Sequence, residues 1–456
     1  LGDEHRHCLA AHELANQMAF ARLGLETLNF LELGSPVENG RATADKLDGI
    51  PEWFIGPLMA GLVCHEVGHT LGLRHNFKAS SLYTLEEINS VDIRGKKPFT
   101  ASVMDYNPVN FNMESGDVQG DFAMIGIGPY DYWAIEYGYT TGDTAEVLAR
   151  AGEPANAYLT DEDTNGPDPL AKRYDFSKDP LTYAENQMRI VESLRADLLN
   201  HFVEDGDSWS KARRGYETTL RMQISAASMM SDWIGGAHTN RNKKGDFGDE
   251  DIAPVQVVPV AQQRAALAFI VDNIFNEEAF ALSPHLITHF NVDKWYEGGG
   301  DSGEATWPIH DRILGTQASM ITSILAPSRL RMVADNEFMV AADEDALTVA
   351  EVFQTLMDAI YSDMDTNGSW TNRQPMISSF DRNLQAEMAN RLVGLSTGKV
   401  SQSREVRSLA LYHTRQLYND IGELLDDSNG LDTYSLAHLQ DLHERLGKAL
   451  DAVYTM

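Results

Sequence analysis

Cysteine is nearly absent, since the 456 residues contain only Cys8 and Cys64. Two thiols cannot build a disulfide framework or a metal site made of cysteines alone. They could form one bridge if they lie together, or they could be two free buried thiols, because cysteine is among the most buried residue types. Disulfide-rich scaffolds and cysteine-only zinc modules are therefore excluded. The two cysteines do not indicate whether the protein works in an oxidising or a reducing compartment.

Basic residues and long apolar runs are also scarce. The chain has 36 Lys and Arg against 68 Asp and Glu, which gives a formal charge of −32. This charge repels phosphate backbones and anionic lipid headgroups, so we expect no nucleic-acid partner and no basic membrane-docking patch. No apolar run approaches the roughly 20 residues of a spanning helix, and the opening LGDEHRH does not have the pattern of a signal peptide. The sequence predicts no membrane span.

Length and composition predict more than one domain. The chain exceeds what one core supports, and its 43% hydrophobic residues suffice for folded globular domains. We predict an N-terminal region at 1–150, an acidic, proline-punctuated connector at 151–182 and a helical domain at 183–456. Helical periodicity in the last part covers 184–234, 260–281, 307–330, 344–362, 383–396 and 403–450. The expected fold class is mainly α, within α+β.

Residues 65–75, with the sequence HEVGHTLGLRH, carry metal-binding chemistry. The nearly uncharged segment before them predicts a buried helix that Gly72 ends. Residues four apart share a helix face, so His65 and His69 can present ring nitrogens to one cation, most favourably zinc. Gly72 can adopt the left-handed conformation, and the resulting turn would bring His75 to the same ion as a third ligand.

Glu66 and the number of histidines indicate a catalytic site. Glu66 lies about 100° round the helix from His65, where its carboxylate can reach a metal-bound water without being a ligand. Three protein ligands leave one coordination position open for water, which is typical of catalytic zinc. Two other interpretations remain, namely three unconnected helix-surface histidines and a metal kept only for structure.

The same run resembles the zinc signature of the metzincin clan of metallopeptidases. Downstream, residues 102–106, SVMDY, resemble the Met-turn of that clan, whose methionine lies beneath the three histidines. The resemblance implies that Met104 is the hydrophobic floor of the site, and that Tyr106 is a displaceable zinc ligand and a donor to the tetrahedral intermediate. A core methionine and a structural tyrosine are the alternatives, because a buried tyrosine usually has some hydrogen-bond partner.

Further stretches narrow the resemblance. HNFKAS at 75–80, the Met-turn extended through Asn107-Pro108, and GPYDYWAIEYGY at 128–139 are similar to a family of large bacterial zinc-dependent metalloproteases known mainly as domains of unknown function. That family is envelope-associated or secreted, which implies an extracytoplasmic location. It also implies a zinc catalytic region at 1–150 that hydrolyses peptide bonds in protein or peptide substrates, with Glu66 as the general base.

The chain departs from the clan in one respect. Metzincin catalytic domains place most of a mixed β-sheet before the active-site helix, and only about 50 residues precede it here. The chain also starts at Leu1 rather than at methionine. We therefore expect the sheet to be incomplete, or supplied by an absent N-terminal segment of the same precursor. Two alternatives follow: a zinc-containing binding or assembly module without turnover, and a peptidase restricted to short peptides.

Two acidic loops resemble the start of an EF-hand calcium site. Residues 161–166 and 363–368 have oxygen ligands at positions 1, 3 and 5 and glycine at position 6. Position 12, where an EF-hand has glutamate, is Lys172 in one loop and Gln374 in the other. Each loop is therefore an ordinary acidic turn or a weak Ca2+ site.

Overall fold

The computed structural model describes residues 18, 20–25, 46–47, 50–113, 116–246, 252–293, 304–364, 368–426 and 430–453. Its α-helices are, in chain order, α1 Glu52–Thr70, α2 Leu85–Ile88, α3 Pro129–Tyr139, α4 Ala145–Leu148, α5 Pro180–Asp197, α6 Ser210–Ser231, α7 Val260–Ile270, α8 Pro284–Thr288, α9 Ile309–Ile324, α10 Pro327–Met339, α11 Val349–Ile360, α12 Ser379–Ser396, α13 Arg404–Asp426 and α14 Thr433–Val453.

The strands are short. β1 (Lys46–Leu47) pairs antiparallel with β2 (Ile50–Pro51), and β3 (Ala237–Thr239) pairs with β4 (Val255–Val257). Helices dominate the described part of the chain, which confirms the predicted mainly α fold class. None of the described helices is long and apolar enough to cross a membrane.

Several segments predicted as single helices are divided. The segment 184–234 becomes α5 and α6, with Gly206 at φ +97° in the connection. The segment 307–330 is divided between α9 and α10 at Pro327, which has no N–H for a helical bond. The segment 403–450 becomes α13 and α14. Periodicity alone misses such breaks because a short connection leaves the apolar spacing on either side intact.

The described residues form two compact units. The first takes its residues from 1–229, 237–256 and 282–306, and the second from 230–236, 257–281 and 307–456. Inside the second unit, α12 packs against α9, α13 and α14 as a helical bundle around fully buried leucine and isoleucine side chains. The division at 151–182 into a catalytic region, a connector and a helical domain stays a prediction.

An aromatic cluster in the first unit supports the N-terminal half of α1. The ring centroid of Phe54, on α1, lies 6.3 Å from that of Phe111 and 5.4 Å from that of Phe122. Phe20 meets Phe111 edge to face at 5.1 Å. Edge-to-face and offset pairs of buried rings stabilise a core beyond the area they remove from water. This cluster fixes one end of the helix that carries the histidine motif.

The opposite face of α1 does not match the prediction of a buried helix. Met59, Val63, Val67 and Leu71, each four residues after the last, are 42% to 57% exposed. One face of the helix therefore packs on the core. The described residues leave the apolar stripe on the other face partly exposed to solvent. The sequence could not distinguish the two faces, because apolar residues occur all round the helix.

Candidate metal centre

A regular helix ending brings the third histidine back to α1. The Leu73 N–H donates to the Gly68 carbonyl at 3.0 Å, and the Gly72 N–H donates to the His69 carbonyl at 3.0 Å. With Gly72 at φ +88°, this is a Schellman motif. The left-handed residue predicted at Gly72 is thus confirmed, and the chain turns three residues before His75.

The three histidine rings converge. Their centroids are 4.7 Å apart for His65 and His69, 4.8 Å for His69 and His75, and 5.3 Å for His65 and His75. One ring nitrogen from each of the three lies within 4.8 Å of the others, so the group could hold one metal ion. The structure thus brings together the three side chains that the sequence predicted as ligands.

Each ring is oriented by an acceptor for its Nδ1–H. His65 Nδ1 donates to the Val103 carbonyl at 2.7 Å and His69 Nδ1 to the Leu73 carbonyl at 3.0 Å. His75 Nδ1 lies 2.9 Å from one Asp161 carboxylate oxygen and 3.0 Å from the other. Because a carbonyl oxygen can only accept, Nδ1 carries the hydrogen and Nε2 carries the lone pair that a metal needs.

The donor set fits a zinc ion. His69 Nε2 is buried and has no hydrogen-bond partner among the described residues. Burial lowers the pKa of His65 to about 4, and burial also lowers the pKa of His75. The two rings are therefore neutral at neutral pH, which is the form that binds metal. An orphaned buried nitrogen beside neutral imidazoles is the arrangement expected of a three-histidine zinc site.

The Met-turn is held by the carboxylate of Asp131, at the start of α3. It accepts hydrogen bonds from the Ser102 hydroxyl, from the Val103 N–H at 2.9 Å and from the Gly128 N–H at 2.8 Å. Since the Val103 carbonyl orients His65, this carboxylate positions a candidate ligand through one intervening peptide. The sequence motif that contains Asp131 did not predict this role.

Met104 lies directly under α1, fully buried. A Cβ built on Gly68 would lie 2.3 Å from Met104 Sδ and 3.4 Å from its Cε. Gly68 stands between His65 and His69 in sequence, so the sulfur packs against the helix where both rings begin. This role of Gly68 was not predicted, although a glycine inside a helical pattern can indicate a close packing contact.

Tyr106 and Glu66 border the three rings. The Tyr106 hydroxyl is 3.1 Å from His75 Nε2, and Tyr106 is 6% exposed. Glu66 is exposed and has neither a hydrogen bond nor an ion pair among the described residues. Its carboxylate is thus available to solvent beside the histidines.

Asp161 has a role in the structure that the sequence did not predict. It was considered only as a calcium ligand, yet its carboxylate holds His75 and meets Arg173 at 3.2 Å. Asp163 in the same loop accepts from the Thr160 N–H and from Arg241. Calcium binding here stays a prediction, and the second loop lies partly outside the described residues. No local signal could reveal a contact between residues 86 positions apart.

An apolar cavity of about 80 Å³ adjoins the centre. His65 and Tyr106 line it, together with Leu58, Leu62 and Met124.

The pairing of the two cysteines stays untested. Cys64 is half-buried and in no disulfide, whereas Cys8 lies outside the described residues.

A helix with two histidines, a glycine turn to a third and a methionine turn beneath them define the metzincin type of zinc metallopeptidase. A family model described as Met-zincin matches residues 48–368, more than half of the 456 residues. The chain therefore belongs to the Met-zincin family, which confirms the resemblance seen in its motifs. Membership implies zinc and supports a metallopeptidase activity in general. No curated protein and no solved structure matches the chain.

Proposed function

We propose that the chain is a zinc-dependent endopeptidase in which His65, His69 and His75 hold the metal. The observation that carries this proposal is the convergence of three rings, each with its Nδ1–H given to a fixed acceptor. Such acceptors fix the tautomer and the direction of a ligand before metal arrives. When bound, zinc supplies a Lewis acid that polarises the scissile carbonyl and activates water near neutral pH.

Glu66 is proposed as the general base. It follows His65 directly and therefore points about 100° away round the helix, beside the ligands rather than among them. Its exposure and lack of a partner among the described residues leave it free to exchange protons. In the proposed reaction it takes a proton from the attacking water and returns it to the leaving amine.

Tyr106 and Met104 are proposed to shape the centre. The Tyr106 hydroxyl, 3.1 Å from His75 Nε2, is close enough to the ligand nitrogens to donate to a developing oxyanion. A preorganised donor of this kind typically contributes about 3 kcal/mol to the transition state. Met104 provides the apolar floor, because its buried side chain fills the space beneath α1.

The adjoining cavity supports a polypeptide substrate with an apolar residue next to the cleaved bond. Its lining is mainly hydrophobic, and its size suits one medium apolar side chain. We also propose an extracytoplasmic location, which only the family resemblance supports. Cell fractionation with an antibody against the full chain tests the location.

The test of the reaction separates metal binding from turnover. Glu66→Gln should abolish cleavage of a casein substrate while zinc content by metal analysis stays at one per chain. Glu52→Gln, an exposed glutamate in the first turn of the same helix, is the matched control and should cleave normally. His69→Ala should lose the metal itself.

The alternatives predict other results. Wild-type protein that retains zinc yet cleaves neither casein nor short peptides would support the binding or assembly module. Cleavage of short peptides alone would support the restricted peptidase. Stoichiometric zinc in His69→Ala would contradict the ligand assignment.

A further inference from the structure

A second cavity in the first unit has a charge opposite to that of the chain. It measures about 230 Å³ and lies between residues 172–174 and helices α5 and α6. Its lining includes Lys172, Arg173 and Arg221, and none of the described lining residues is acidic. In a chain with 36 basic and 68 acidic residues, this concentration of positive charge creates a local attraction for an anionic group.

Arg221 offers an available positive charge in this lining. It is exposed, its guanidinium donates to the neutral Thr218 hydroxyl at 2.9 Å, and it has no carboxylate partner among the described residues. The guanidinium of Arg173, by contrast, forms an ion pair with Asp161, with 3.2 Å between Nη2 and Oδ1. A guanidinium without an acid is well suited to bind a carboxylate with two hydrogen bonds.

Gln187 adds a neutral donor to the same lining. The residue is 7% exposed, and its Nε2 is buried without a hydrogen-bond partner among the described residues. Buried amide nitrogens nearly always have an acceptor, so an orphaned one in a cavity wall indicates a missing oxygen. The wall therefore offers a donor close to three cations.

Tyr174 relates this cavity to the candidate metal centre. Tyr174 lines both this cavity and the apolar cavity beside His65. Its N–H donates to the Tyr106 carbonyl at 3.0 Å, and its φ of +63° is a strained value for a tyrosine. Strained backbone persists where surrounding contacts impose it, and it is concentrated at binding sites. One residue thus separates the basic cavity from the space next to the proposed scissile bond.

We propose that the basic cavity binds a carboxylate of the substrate and makes the enzyme selective for acidic polypeptides. The carboxylate is either an acidic side chain near the cleaved bond or the C-terminus of the substrate. This inference rests on the proposed peptidase function, because the cavity shares Tyr174 with the apolar cavity beside that site. A charge-assisted contact to Arg221 fixes the substrate, with Lys172 and Gln187 adding attraction and a donor.

The test compares kcat/KM for matched peptides. One set exchanges Glu for Gln at each position around the cleaved bond, with amidated ends. A second set has no acidic side chain and exchanges a free C-terminus for an amide, which distinguishes the two sources of carboxylate. We expect the wild type to prefer one acidic form by about tenfold, and Arg221→Gln to remove that preference. Arg221→Glu should shift the preference towards a Lys peptide.

Arg214→Gln is the matched control. Arg214 is an exposed arginine on the same helix α6, it does not line the cavity, and its loss changes the net charge equally. It should keep the acidic preference. Equal preference ratios in Arg214→Gln and Arg221→Gln would overturn the inference, as would a wild type that cleaves acidic and amide peptides equally.

Binding without turnover separates this inference from the proposed function. Anisotropy of a fluorescein-labelled acidic peptide is measured on zinc-depleted wild type and on zinc-depleted Arg221→Gln. Charge-dependent binding that Arg221→Gln weakens about tenfold, in a protein whose zinc-loaded form cleaves no peptide, would support the carboxylate site and contradict the peptidase. Cleavage with no charge preference and no charge-dependent binding would leave the peptidase standing and overturn the carboxylate site.

Discussion

The close approach of Gly68 to Met104 gives a quantitative test of the centre. In Gly68→Ala the new Cβ would lie 2.3 Å from Met104 Sδ, far inside van der Waals contact, and Met104 is fully buried. Overpacking a core in this way typically costs about 1–3 kcal/mol. Alanine also gains about 1 kcal/mol of helix propensity over glycine, so the stability change of this variant alone would be ambiguous.

Gly56→Ala removes that ambiguity. Gly56 is on the same helix, and a Cβ built there has nothing within 4 Å. The propensity gain is common to both variants, so the difference between their unfolding free energies isolates the contact with Met104. We expect Gly68→Ala to be less stable than Gly56→Ala by about 1–3 kcal/mol in urea unfolding, and to bind zinc more weakly. Equal stability and equal zinc affinity would refute the account of Met104 as a rigid floor.

Two further changes test the Asp161 acceptor of His75 and the buried carboxyl group of Asp175. Asp161→Asn should weaken zinc binding about 10- to 100-fold in a chelator competition, because His75 loses a charged acceptor, whereas the exposed neighbour Glu162→Gln should not. Burial raises the pKa of Asp175 from 3.8 to about 7, so the folded state holds a proton that the unfolded state releases, and stability falls as pH rises through that interval. Asp175→Asn should flatten this fall in zinc-depleted protein, and an unchanged slope between pH 5 and about 7 would contradict the assignment.

The fold was predictable where one local signal sufficed. Apolar periodicity identified most helices of the second unit, and the Gly72 turn followed from a glycine placed after a helical pattern. Helix breaks and exposure were not predictable, because both depend on what packs against a segment. The apolar stripe that includes Val63 and Val67 shows this, since the same letters would describe a buried helix.

The candidate site was likewise predictable only in part. Spacing placed His65 and His69 on one helix face, and a motif placed Met104 and Tyr106 near them. Neither could identify Asp131 or Asp161, because both act through contacts formed only after distant segments meet.

The sequence distances of the three Nδ1 acceptors explain this limit. The acceptor of His69 is 4 residues away, that of His65 is 38 away, and that of His75 is 86 away. A helix and its Schellman turn can therefore orient His69 alone, whereas His65 needs the Met-turn and His75 needs the Asp161 loop. Because orienting each further ring requires closure of a longer loop, the three rings converge only when the first unit is folded. The preorganisation of the three nitrogens is thus a property of tertiary packing, even though the residues that carry them lie within one short motif.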